Sequence, residues 1–325
     1  MNAIHSLKTF ILLVLLTIVA IGCSNGTSSE ASGENYPEKN IEVVVPAGAG
    51  GDTDRNTRIT AEYLEEELGT KVVVSNVAGA GGTTGAEQVL DAPADGYKVL
   101  SFHNSLILND VLGLADFNYE DFKMAGTSIA DLSNTFIVNA NSEIKDLESL
   151  IKVAKENPGE VSIATETGGF THLQLLAFQK ETGTELNIVD VGGASDKTTA
   201  LLGGKIDIIP TSLGLVEEYI ESGDFRSIGV MSEERLEGAP DVPTFKEQGV
   251  DISFDKFFFW AFPEETPQEI VDKFSGAMEN IVNNSDYQEE ISSYLVEADY
   301  KDGEETNEHF SNLTEQYEAL YEESQ

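Results

Sequence analysis

The chain has 325 residues, with 58 Asp and Glu against 19 Lys and Arg, for a net charge of −39. So acidic a surface repels nucleic acid and anionic lipid headgroups, and its acid is spread along segments such as EYLEEEL and EQYEALYEESQ, which read as solvated surface rather than as a site. A single cysteine excludes an internal disulfide, and the four histidines form no His/Cys cluster at zinc spacing.

At the N-terminus, residues 9–21 form an uncharged apolar run behind one cation, Lys8. It is short for a bilayer span and has the length of a signal-peptide core. It ends in AIGC, and small residues before a cysteine resemble a bacterial lipoprotein signal. The expectation is a signal peptide over 1–22, lipidation at Cys23, and a flexible Gly/Ser-rich linker over 23–35. A lipid on one cysteine anchors a protein and does not span the membrane. The alternative is an uncleaved anchor with an incidental cysteine. The remaining body of about 300 residues is long enough to split into two lobes.

The body begins with an apolar strand at 41–45, a small-residue loop (PAGAGG), and a helical pattern with Ile59, Tyr63, Leu64 and Leu68 on one face, closed by Gly69. A second strand at 71–76, a second loop (AGAGGTTG), a helix and a third strand (YKVLSF) follow. Strand, glycine loop and helix in alternation predict a parallel α/β unit with ligands beyond the carboxyl ends of the strands. A second run uses the same grammar. Strands are predicted at 135–140, 161–165, 186–191, 206–210 and 226–232, with helices between them. A turn-rich stretch, EGAPDVPTF, and two acidic helices complete the chain.

Neither glycine loop fits a phosphate enzyme. A P-loop needs Lys after its second glycine, but Gly82 is followed by Thr83. GAGGTTG is one residue too long for the dinucleotide fingerprint. Glycines that open helices still bare backbone N–H groups beside a positive helix end, so two converging loops could cradle a carboxylate; two tight turns are the alternative. No basic side chain recurs in these loops, so amides would do the binding. Among the histidines, His5 falls in the signal, His309 is expected in solvent, His172 either lines the cleft or caps a helix, and His103 ends a strand at the same edge. No G-x-S-x-G elbow suggests a nucleophile. The aromatic run FDKFFFWAF is either a ligand platform or core.

YPEKNIEVVVPAGAGGDTDRNTR, VVVSNVAGAGGTTGAEQV, ADGYKVL, LLGGKIDI, APDVPTFKEQG and WAFPEETPQEIVDKF, in that order, resemble the solute receptors of tripartite tricarboxylate transporters (TctC/Bug-like) from Tyr36 to the end. The resemblance implies a two-lobed α/β fold of the type II periplasmic-binding-protein kind, each lobe a mixed, mostly parallel sheet flanked by helices. Lobe 1 is expected over 36–125 and 228–325, and lobe 2 over 126–227. It implies a monomeric extracytoplasmic receptor, lipid-anchored at the cell surface or in the periplasm. Such a receptor binds a small carboxylate in the interlobe cleft and hands it to membrane permease subunits, with no cofactor or metal. The ligand-binding positions carried over are Ala47, Gly50, Gly51, Ala80, Gly81, Gly82, Thr165, Thr167, Gly169, Thr171, His172 and Gly193, with Asp54 and Arg58 as scaffold.

Three residues depart from that pattern. Asp190 interrupts the family's Val-Pro-Tyr, and Asp52 and Glu166 put carboxylates into loops that cradle an anion, where like charges repel. The expectation is that these side chains turn to solvent; the alternative is a ligand that also carries an amine. The competing function is a cofactor-free α/β hydrolase or lyase acting on a carboxylate.

Overall fold

The computed structural model describes residues 35–323; the expected signal segment, Cys23 and the linker up to residue 34 lie outside the described residues. Strands β1 (Ile41–Val45), β2 (Val72–Asn76) and β3 (Lys98–His103) run parallel, joined by helices α1 (Asp52–Leu68) and α2 (Thr83–Leu90). Gly51 caps α1, Asp52 and Asp54 sit in its first turn, where the positive helix end favours acid, and Gly69 ends it in a left-handed conformation. After α3 (Ser105–Val111), β4 (Phe122–Asp131) completes the lobe's first pass.

The second sheet begins at once with β5 (Asn134–Asn139). It continues through α4 (Leu147–Glu156), β6 (Ser162–Thr165), α5 (Phe170–Thr182), β7 (Asn187–Asp190), α6 (Ala194–Leu202), β8 (Ile208–Ser212), α7 (Glu217–Glu221) and β9 (Phe225–Val230). Its order is β7-β6-β8-β5-β9, with β5 alone running against the others. The chain then returns as β10 (Lys256–Pro263), which slots antiparallel between β3 and β4. Helices α8 (Gln268–Val282) and α9 (Ser285–Ser292), strand β11 (Glu297–Ala298) and helix α10 (Gly303–Glu323) close the chain. The first sheet is thus β11-β4-β10-β3-β1-β2.

Two crossings therefore join the sheets, at 132–133 and 231–255. The expected boundaries lay at 125/126 and 227/228. They shift because the ladder to β10 holds β4 in the first sheet up to Asp131, and β9 stays paired with β5 to Val230. The run FDKFFFWAF is core: all eight residues of β10 are buried, as a central strand covered on both faces requires. The sequence reading has no counterpart for α3, the Ala/Gly/Ser/Thr-rich β4 and the two-residue β11, it expected two C-terminal helices where there are three, and it did not assign the β10 run as a strand. Apolar packing is continuous between the lobes; one cluster contains Val44 and Leu100 of the first and Phe136 and Phe178 of the second. Among the described residues, no helix is long and apolar enough to cross a membrane.

Candidate functional site

The carboxyl ends of β1, β3, β6 and β8 meet at one cavity of about 60 Å³ between the lobes. Three helices start on it. Gly51, Gly169 and Gly193 are the N-caps of α1, α5 and α6, and all three line the wall. Their N-terminal partial charges converge on the same space, an arrangement that favours an anion.

The lobes are closed over it. The Phe170 N–H donates to Ser105 Oγ at 2.8 Å, Ser195 Oγ donates to the Ala49 carbonyl at 3.3 Å, and Arg55 Nη1 donates to the Gly214 carbonyl at 3.1 Å. Gly81 touches Gly168 across the gap. A Cβ at Gly81, where φ is +65°, would stand 3.0 Å from the Gly168 carbonyl carbon and 2.9 Å from Asn109 Oδ1.

The first loop is held rigidly from behind. Asp54 accepts from the Gly50 N–H and from Arg58 Nε, both at 2.9 Å. Arg58 also donates to Asn76, whose Nδ2 donates to the Ala47 carbonyl at 3.1 Å. This is the scaffold role expected of Asp54 and Arg58.

Of the positions carried over from the resemblance, Ala47, Gly51, Gly81, Gly169, Thr171 and Gly193 line the cavity. Ala80 and Thr167 line an adjoining chamber with Gly81. Gly50, Gly82, Thr165 and His172 stand behind the wall: Gly82 packs on Phe102, Thr165 Oγ1 lies 3.3 Å from Thr171 Oγ1, and His172 is half-buried. Several amides are already used within the protein. Those of Gly50, Thr167 and Gly169 donate to Asp54, Asp190 and the Glu166 carbonyl. His309, expected in solvent, is half-buried with its ring 4.4 Å from Phe257.

The charge pattern differs most from expectation. Two lysines reach the cavity, Lys197 from α6 and Lys256 from β10, only 5% and 6% exposed. Asp52 and Glu166 face it too and do not turn to solvent. Lys256 Nζ donates to Asp52 and lies 3.8 Å from Asp131. Burial disfavours the Asp52 carboxylate, but the Lys256 ammonium, with the Arg55 guanidinium, more than offsets this and holds its pKa below the usual carboxylate range. Burial likewise works against the Lys256 charge, and Asp52 and Asp131 overcome it and raise the pKa. Lys197 differs. It has no ion pair among the described residues, and its nearest partner is Thr171 Oγ1 at 3.4 Å. Burial pulls its pKa down to about 8, against the pull of Asp52 and Glu166. Glu166 is shifted up by burial, a shift that Lys197 only partly opposes. His103 is held neutral, with its pKa lowered to about 3 by burial and by Lys256, while its Nδ1 accepts from the Ser105 N–H at 3.3 Å. Sequence reasoning missed both lysines; the available signal was a lone cation inside the nine-residue run FDKFFFWAF.

A larger groove of about 730 Å³ elsewhere on the first lobe is rimmed by Glu120, Glu264, Asp272, Asp302 and Glu304 and contains none of the glycine loops.

The family described as "tripartite tricarboxylate transporter family receptor" matches residues 57–325. The chain belongs to that family. Protein BugT of Bordetella pertussis is 32% identical to this receptor over 265 residues, covering 79% of this chain and 81% of that one. A UPF0065 protein of Agrobacterium vitis is 31% identical over 256 residues, covering 77% and 73%. Among solved structures, the periplasmic binding protein BugD superposes with a TM-score of 0.84 at 26% identity, covering 89% of this receptor and 98% of BugD. A Rhodopseudomonas palustris protein solved with bound malate has the same fold (TM-score 0.82, 20% identity, 88% and 99% covered). The receptor thus has the mixed α/β, two-lobed periplasmic-binding-protein fold and belongs to an extracytoplasmic solute-binding family.

Proposed function

We propose that this receptor binds a small carboxylate in the interlobe cavity and delivers it to the membrane permease of a tripartite tricarboxylate-type transporter. The observation that carries the reading is Lys197, a buried cation with no ion pair among the described residues, aimed into a cavity onto which three helix N-termini converge. A buried ammonium is costly unless paired, so its counter-ion is supplied by the ligand. Ala47, Gly51, Gly81, Gly169, Thr171 and Gly193 would form the cradle, and Ala80, Gly82, Gly50, Thr165, Thr167 and His172 would shape it. The site binds without turnover. His103 is held neutral by burial, and its Nδ1 is engaged by the Ser105 N–H. The receptor acts as a monomer tethered through lipidated Cys23, which the intact mass of membrane-extracted protein checks.

Calorimetry against a panel of carboxylates is the direct test. One of them should bind saturably, be recovered unchanged, and lose about tenfold or more in affinity with Lys197→Met, since a hydrogen bond to a charged group contributes about 1.5–3 kcal/mol. Equal binding by the folded variant would overturn the role of Lys197, and no binding by wild type would overturn the function.

A further inference from the structure

We infer that the ligand carries a cationic group as well as a carboxylate, so that the site selects an ammonium-bearing carboxylate over a di- or tricarboxylate. The inference rests on the proposed function and names the substrate class of the same cavity. It starts from the charges on the wall. Lys256 is taken up by Asp52 and Asp131, both inside the protein. Among the described residues Lys197 alone is left to meet a ligand anion, so the wall offers one cationic partner and not two.

Beyond Lys197 the wall turns negative. Glu166 lines the inner cavity and also an adjoining chamber of about 350 Å³, which it shares with Gly81, Leu114 and Asp190. No hydrogen-bond donor engages the Glu166 carboxylate among the described residues, whereas Asp190 takes the Thr167 N–H at 3.0 Å and the Gly192 N–H at 3.1 Å. Those amides fix the Asp190 carboxylate at the chamber wall without cancelling its charge. A ligand held at Lys197 and extending past Glu166 therefore runs into a negative chamber. A second carboxylate there meets like charge from Glu166 and Asp190; an ammonium meets two counter-ions.

A second observation points to a ligand in the same place. Thr211 Oγ1 is on the cavity wall, its residue is only 5% exposed, and it has no hydrogen-bond partner. A hydroxyl so buried is rarely left unpaired, so the cavity wall has a neutral polar group free to meet a ligand. Lys197, Thr211 and Glu166 thus offer the ligand contacts for an anionic, a neutral polar and a cationic feature. Neither Glu166 nor Asp190 follows from what a carboxylate receptor needs.

The test is calorimetry of the whole receptor against matched probes. Succinate, glutarate and citrate form one arm; γ-aminobutyrate, glycine betaine, glutamate and lysine form the other. An ammonium-bearing probe should bind at least tenfold tighter than any probe of the first arm. Glu166→Gln should cut that affinity about tenfold or more and narrow the preference, with circular dichroism confirming the fold; Asp190→Asn gives an independent reading should Glu166→Gln fail to fold. A dicarboxylate binding tighter than every ammonium-bearing probe, or a preference unchanged in the folded variants, overturns this inference and leaves the carboxylate receptor standing. If no probe of either arm binds, the proposed function and this inference fall together.

Discussion

Lys197 is the residue on which binding depends, and its protonation sets a pH window. Burial brings its pKa down to about 8 from the ordinary 10.5. A bound carboxylate favours the charged form, so the bound state holds the proton to higher pH than the empty one. Affinity should be flat below pH 8 and fall above it, by up to about tenfold per unit, until the pKa of the bound state is reached. Calorimetry from pH 6 to 10 checks this, and Lys197→Met should abolish the slope. Asp52 and Glu166 show why charge is hard to read from sequence. In a chain with 58 acids, two more in loops read as solvated surface. Yet Asp52 is drawn inward by Lys256, 204 residues away in the chain.

At the scale of the element, the loop-and-helix units of the first lobe were legible because their signals are local: apolar run, glycines, helical period, terminal glycine. Strand β4 was not, since FKMAGTSIAD neither alternates nor carries β-branched bulk throughout; its neighbours β10 and β11 make it a strand. The second glycine loop shows what an element contributes to the site. Gly81 lies on the left-handed side of backbone space and meets Gly168 with almost no clearance. Gly81→Val should weaken ligand binding by well over tenfold while each lobe keeps its secondary structure, because a β-branched residue both strains the turn and wedges the lobes apart. Calorimetry with circular dichroism tests it; unchanged affinity in the folded variant would remove the loop from the closing surface.

On the scale of the whole molecule, the net charge of −39 dominates. The ion pairs on the surface are mostly exposed and individually weak, such as Lys39–Asp95 and Arg235–Glu247. Excess acid repels itself, and salt screens exposed charges far better than buried ones. The melting temperature should therefore rise between dilute buffer and near-molar sodium chloride, as read by calorimetric scanning. A flat or falling curve would mean that the exposed acids do not strain the fold.

The sequence by itself determined the class of fold, the alternation of strand and helix, and the glycine loops at strand ends, because each depends on residues within a turn or two of one another. It also carried the family, through motifs in order. Only the tertiary structure decided the electrostatics of the site. Lys256 is positioned by a strand that returns from the second lobe to the middle of the first sheet, and Lys197 by the first turn of a second-lobe helix. Whether a lysine is solvated or is the unpaired cation of a closed cavity depends on which distant segments fold over it, and local pattern contains no record of that.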